Sequence, residues 1–441
     1  MGRPMHEMVL ERRGEPGALI IGGAHGSLAM TRSLGRRGIA VDLLAEHRLV
    51  TFSRYVRRKF FWQGPGSPDA AAYLCDLARS HGLAGAVLFA GGDPEAAFIA
   101  QNHAELSAVF RLTTPPWDRL RAVFDKTRMQ RHAAMIGVDT PRSYRPRSRE
   151  DVERMEFRFP LVLKPAVRTE DNALTLAKAW RADDRATLLA RYDHAAALVG
   201  NDGIVLQEFI PGGGEAQFSY AAAFDRGSPV ASLVARRTRQ YPVEFGYTST
   251  FVETIDCPAV EEAGRRLLAS LDYTGLAEVE FKFDPRDGRY KLLDVNARVW
   301  TWSALGGLVG VDFPHVMWRI ARGETVTPAR ATRPAAWIHV SRDLVAAAQH
   351  MLAGRLSPAA YLRSLRKPMV TAAFALDDPL PGIAELPLAL WRAVAHRLPI
   401  MLRDSWRRIA TAPKPAAGRH VDAPPLAPAA EEPAQRLSSL P

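Results

Sequence analysis

Asp294, Asn296 and Arg298 stand two residues apart in KLLDVNARVW, and Glu280 precedes them in EVEFKFD. Side chains alternate along a strand, so Glu278, Glu280 and Lys282 share one face while Val279, Phe281 and Phe283 share the other. The intervening DPRDG supplies the proline, aspartates and glycine that a hairpin turn uses. On the return strand Asp294, Asn296 and Arg298 project together, and Leu293, Val295 and Ala297 point to the core. Carboxylates gathered on one face repel unless positive charge lies between them. Two arrangements meet that need: ordinary ion pairs on a solvated face, or a bound cation. For a cation, a few oxygen ligands with positions left over for water and phosphate suit Mg²⁺ better than Zn²⁺.

The elements that must position this hairpin read as a chain of α/β and α+β units. GALIIGGAHGSLAMTRSLGRRGIAVDLLA reads as a buried strand, a glycine turn, an amphipathic helix and a second strand. A helix over 70–81, the strand GAVLFAGG and a helix from Pro94 continue the alternation, which implies a parallel, Rossmann-like sheet domain over 17–115. Glycines 22, 23 and 26 do not keep dinucleotide-fingerprint spacing, and a tight strand-to-helix turn accounts for them. His25 lies in that turn, where both contact with a ligand and plain solvation are open. From 116 a second unit begins: a lysine-bearing part over about 116–205, with a helix over Arg185 to Val199, and an antiparallel part over about 206–325 that ends on the hairpin. A helical extension is expected over 326–410. Within it LALWRAVAHRLPIMLRDSWRRIA is amphipathic and basic, suited to packing on the body or a partner, or to peripheral membrane contact. The first 16 residues read as flexible and 411–441, rich in Pro and Ala, as disordered.

Bulk properties exclude several classes. The formal charge of +11 over 441 residues is diffuse and lacks the clustered basic and aromatic pattern of a nucleic-acid reader. Cys75 and Cys257 have no metal or redox spacing, and no apolar run reaches spanning length, so a reduced, cytoplasmic setting is expected.

The hairpin does not stand alone. The motif E-F-K-F-D with D-V-N-A-R resembles the metal-binding hairpin of the ATP-grasp superfamily, and further landmarks follow that family's order. The resemblance implies an ATP-grasp fold behind the first domain, with Glu280, Asp294 and Asn296 as metal ligands and Arg298 at the reaction centre. FDKTRMQRHAAMIGVDTP resembles the helix whose lysine, Lys126, reaches the nucleotide phosphates, and FPLVLKPA the strand presenting Lys164. VLQEFIPGGGE is similar to the adenine hinge, where Gln207, Glu208, Phe209 and Ile210 meet the base and Glu215 the ribose. ATP and Mg²⁺, with Mn²⁺ as a substitute, are the implied cofactors. Two lysines and a divalent ion are what a triphosphate needs before a nucleophile can approach it.

Two departures shape the expectation. The loop AVRTEDNALTLAKAW lacks the family's glycines, so Arg168 or Lys178 is expected to supply charge in place of backbone N–H groups. ARRTRQYPVEFGYTSTFVE resembles the carboxylate-amine ligase subgroup similar to D-aspartate ligase, which assigns Arg236, Arg237 or Arg239, Arg237 foremost, to the γ-phosphate or the acid substrate. An ion-paired strand is the competing reading for those arginines. The implied activity joins a small carboxylate to an amine through an acylphosphate, with no side-chain nucleophile. The alternatives are a carboxyphosphate-forming enzyme of the biotin carboxylase or carbamoyl-phosphate synthase type, and a non-catalytic ATP-binding module tethered by its basic C-terminal helix.

Overall fold

Short aliphatic runs build the first sheet. The computed structural model describes residues 17–45, 48–166, 172–177, 179–243, 246 and 248–392. Arg168, Lys178, the first 16 residues and the 411–441 tail lie outside them. β1 (Ala18–Ile21), β2 (Val41–Leu44), β3 (Val56–Phe60), β4 (Val87–Ala90) and β5 (Arg111–Leu112) are all parallel, in the order β3-β2-β1-β4-β5. Every residue of β1, β2 and β4 is buried, as expected where helices cover both faces of a parallel sheet. β3, VRRKF, is an edge strand that the pattern does not announce, because charges mark its exposed positions. Its Arg57 and Arg58 both bind the fully buried Asp42 of β2, Arg58 Nε at 2.9 Å.

The chain leaves β1 toward β2 and β3, then returns to β4 on the other side, so the C-terminal ends of β1 and β4 form the switch point of the sheet. Gly22 leaves β1 at φ +107°, and a Cβ on Gly26 would lie 2.9 Å from Val299 Cγ1 and 3.1 Å from Trp300 O. The glycines therefore serve the turn and a close approach by the distant segment that follows Arg298.

β6 (Ser143–Tyr144), β7 (Leu161–Pro165), β8 (Trp180–Ala182) and β9 (Ile204–Glu208) form an antiparallel sheet in the order β6-β9-β7-β8. The helix Arg185–Val199 covers it, packing Leu188 and Tyr192 on Leu161, Leu163 and Leu206.

The third sheet has eight strands. β10 (Gln217–Asp225), β11 (Ser228–Tyr241), β12 (Thr248–Thr254), β13 (Gly275–Asp284), β14 (Arg289–Asn296), β15 (Ala329–Ala331), β16 (Ala336–Ile338) and β17 (Met369–Thr371) run in the order β14-β13-β10-β11-β12-β16-β17, with β15 beside β11. The helix Pro258–Ser270 sets Val260 and Leu267 on Tyr220, Val279 and Phe281. On the opposite face Ala221, Leu233, Trp300 and Trp337 share one core with Ile20 and Val87 of the first sheet and Leu28 of the helix after β1. The two sheets thus bury apolar surface against each other, which fixes their relative placement.

The extension after residue 325, expected to be helical, also supplies three strands, β15 to β17, and completes the large sheet. Three-residue strands carry too little periodicity to be read in sequence; pairing partners make them extended. Helices Val340–Leu352, Pro358–Ser364 and Leu380–Arg392 follow. The amphipathic segment beyond Arg392 lies outside the described residues. Among those residues no helix is long and apolar enough to cross a membrane.

Candidate active site

β13 and β14 pair with Glu278 opposite Asn296 and Glu280 opposite Asp294, after which the register shifts so that Phe281 faces Leu292. The extra residue is Leu293, a β-bulge that resets the alternation. Leu292, only 2% exposed, takes the core position expected for Leu293, which is half-buried. The reset keeps Asp294 opposite Glu280 while Lys291 stays opposite Lys282.

The polar face is tightly wired. Asn296 Nδ2 donates to Glu278 Oε2 at 3.0 Å and to Glu280 Oε1 at 2.9 Å, which leaves the amide oxygen Oδ1, 3.3 Å from Arg298 Nη2, as its acceptor for a cation. Glu278 is buried, accepting also from Ser219 Oγ at 3.0 Å and Trp302 Nε1 at 2.9 Å. Burial, reinforced by Glu280, pushes its carboxyl up to about 7. Glu278 is therefore neither a surface acid nor a spare one: it holds Asn296 in position. Glu280 Oε2 lies 3.5 Å from Arg237 Nη2, and Asp294 Oδ2 3.1 Å from Lys126 Nζ. Asp125 caps its helix by accepting from Thr127 N and Arg128 N, which sets Lys126 in the first turn beside β14. Asp294 raises the Lys126 ammonium above its ordinary value against the pull of burial.

Arg298 reaches across to the first sheet. Its Nε donates to Asp93 Oδ1 at 2.9 Å and its Nη2 to Asp93 Oδ2 at 3.2 Å, at the start of the helix that follows β4. The fork therefore places the hairpin acids at the switch point, where ligands of open parallel sheets collect. Asp93, Ser219 and Trp302 carry no sequence spacing to the motif. Asp93 directly after a strand-ending Gly-Gly was the one available signal.

The other expected positions divide. Lys164 Nζ donates to Gln207 Oε1 at 2.6 Å, and Gln207 Nε2 to Ser143 Oγ at 3.1 Å, so this amide side chain positions the lysine. Glu208 N–H is bound to Arg142 O and Phe209 N–H to Pro160 O, at 2.8 and 3.1 Å. The Glu208 carboxylate takes Arg286 at 2.8 Å. Ile210 is buried, and Glu215 is exposed, accepting from Gly213 N at 2.8 Å. Lys282 donates to Gly212 O at 2.7 Å and lies over the Phe209 ring at 5.3 Å; burial lowers its ammonium to about 8. Of the three arginines on β11, Arg237 alone joins the acid face. Arg236 binds Glu253 at 2.6 Å, and the buried Arg239 forks onto Asp343 at 2.9 Å under the Phe251 ring. A register shift between Arg237 and Arg239 divides their directions.

Residues 234–328 match the family described as carbamoyl-phosphate synthase L chain, ATP binding domain. The D-aspartate ligase of Enterococcus faecium (strain Aus0004) is 24% identical over 226 residues, 48% of this chain and 53% of that enzyme. The chain thus spans about half the length of the curated relative that it matches. Solved neighbours include an L-amino acid ligase from Bacillus licheniformis, at TM-score 0.54 and 16% identity over 71% of this chain and 75% of that one. N5-carboxyaminoimidazole ribonucleotide synthetase from Thermus thermophilus follows at 0.54 and 15%, over 72% and 82%. Biotin carboxylase from Campylobacter jejuni gives 0.55 and 14%, over 71% and 72%.

The chain has the ATP-grasp fold.

The hairpin offers oxygen ligands that suit Mg²⁺: two carboxylates and one oriented amide oxygen, with lysine and arginine cations set against the acids. The two lysines expected at the phosphates lie apart in the fold, Lys126 against the hairpin and Lys164 on the four-stranded sheet.

Proposed function

We propose that the chain is an ATP- and Mg²⁺-dependent ligase that joins a carboxylate to an amine on amino-acid or peptide-like substrates, through an acylphosphate. Glu280, Asp294 and Asn296 would hold the metal, which supplies charge neutralisation at the phosphate oxygens. Lys126, Lys164 and Arg237 add positive charge for the triphosphate. The substrate carboxylate oxygen attacks the γ-phosphorus; the bond from that phosphorus to the β-bridging oxygen breaks, and ADP leaves with the electron pair. The amine nitrogen then attacks the acyl carbon, inorganic phosphate departs with the C–O bond electrons, and the amine proton passes to solvent. Arg298, anchored by Asp93, stabilises the oxyanion of that second step.

The observation that carries this reading is the Arg298 to Asp93 fork, which brings the acid face to the ligand edge of the parallel sheet. Similarity to the D-aspartate and L-amino acid ligases supports the bond type, and a cytoplasmic site of action follows from the dependence on ATP. The test is ADP release across a matrix of carboxylates and amines, D- and L-amino acids included, with hydroxylamine to trap acylphosphate. Hydroxamate formation that depends on the carboxylate is expected. ADP release driven by bicarbonate alone would overturn the reading in favour of carboxyphosphate chemistry.

A further inference from the structure

Beside the β1 glycine turn, three residues distant in sequence meet. His25 opens the helix that follows the β1 glycine turn, His339 follows β16, and Glu385 lies in the helix Leu380–Arg392. One ligand atom from each lies within 4.8 Å of the other two. His25 Nε2 is 2.6 Å from Glu385 Oε1, His339 Nε2 is 3.1 Å from the same oxygen, and the imidazole centroids are 4.7 Å apart.

His339 is the telling member. Its side chain is 1% exposed, its backbone N–H is fixed on Thr250 O at 2.8 Å, and Nδ1 has the Ser341 hydroxyl 3.4 Å behind it. Yet Nε2 makes no hydrogen bond: it is near Glu385 but outside hydrogen-bond geometry. A buried ring nitrogen aimed at a carboxylate and a second imidazole without a bond of its own is placed as a metal ligand is placed, with the hydroxyl behind it as the outer partner.

We propose that His25, His339 and Glu385 form a site for a divalent transition ion of the Zn²⁺ class, separate from the Mg²⁺ face. Two imidazoles and one carboxylate are a zinc donor set that leaves a fourth position for water, and nitrogen donors disfavour Mg²⁺. Ligands on a tetrahedral Zn²⁺ stand about 3.3 Å apart, so the Glu385 carboxylate moves back by about half an ångström to admit the ion. Its place on a helix, 17% exposed, permits that movement. The ion would fasten the C-terminal extension to the first sheet's glycine turn. Arg32 to Asp378 at 2.9 Å and Arg36 to Asp377 at 2.7 Å already hold the segment before it.

The experiment uses tag-free full-length chain, stripped with chelator and returned to excess Mg²⁺, then titrated with Co²⁺ and Zn²⁺. One equivalent of Co²⁺ with tetrahedral visible absorption, displaced by Zn²⁺ together with a rise in the thermal midpoint, is expected. His25→Gln and Glu385→Gln should each weaken the ion by more than about 100-fold, beyond the 10- to 100-fold cost of disturbing only an outer partner of a ligand. Both replace partly exposed residues, so folding is retained even if His339→Ala disrupts it. Substoichiometric binding, or the same affinity in both variants, overturns the proposal. So does loss of the Co²⁺ signal in Glu280→Gln, which would return the ion to the hairpin.

Discussion

The two ends of the β13–β14 hairpin carry charge on one face and use it in opposite ways. At one end Glu278, Glu280 and Asp294 gather with the amide of Asn296, their cations standing 3.1 to 3.5 Å off and arriving from other elements. At the other end Asp284, fully buried, takes Lys291 at 2.7 Å and Arg286 at 2.6 Å, both from within the hairpin. The shifts follow the balance. The hydrogen bond from Arg286, then that from Lys291, hold the Asp284 carboxyl well below the usual range. Burial and Glu280 push Glu278 up to about 7. A self-neutralised cluster stabilises the hairpin, whereas an acid face whose cations come from other elements is what the proposed metal ion and phosphates would require.

The comparison breaks most sharply on the acid end. If Glu280 and Asp294 hold the metal as proposed, Glu280→Gln and Asp294→Asn should each lower ADP release about 10³-fold, with the thermal midpoint little changed because both residues are partly exposed. Near-normal turnover in either variant would show that the face is structural like its neighbour.

Asp284→Asn should do the reverse. Breaking this buried cluster leaves two cations against a neutral amide, costing about 3 kcal/mol in urea unfolding followed by tryptophan fluorescence, with kcat unchanged. Glu278→Gln falls between the two. It keeps the shape that positions Asn296 but alters the pair it is bonded to, so Mg²⁺ dependence should weaken about 10-fold while stability holds. A stability loss as large as that of Asp284→Asn would place Glu278 with the structural group.

The smallest effect is a pH dependence. Burial works to raise the Asp42 carboxyl, but Arg58 and Arg57 outweigh it and hold it low, as Arg286 and Lys291 hold Asp284. Carboxylates with depressed folded values stabilise the fold fully above the unfolded pKa of about 3.9 and lose that contribution as pH falls from there through the lower folded value. Their share of the urea midpoint should therefore decline below about pH 5, whereas the raised Glu278 carboxyl acts with the opposite sign, adding stability as pH falls through about 7. Asp284→Asn should flatten the decline, whereas Glu280→Gln should leave it in place.

Much of this was legible in the residues. Alternation put Glu280, Asp294, Asn296 and Arg298 on one face, and buried runs around glycine turns gave the parallel sheet. The ordered lysines and the hinge pointed to an ATP-grasp fold. Local periodicity decides such features, because which way a side chain points depends on backbone geometry that near neighbours set. The fold alone decided the rest. One bulged residue put Leu292 rather than Leu293 in the core, and a register shift on β11 sent Arg237 to the acids while Arg239 went to Asp343. Gln207 became the holder of Lys164, Asp93 the anchor of Arg298, and His25 found partners more than 300 residues away. Strand pairing within the four-stranded sheet sets the first of these, and the others arise where elements of separate sheets bury apolar surface against each other; no spacing along the chain encodes which polar groups are thereby brought together.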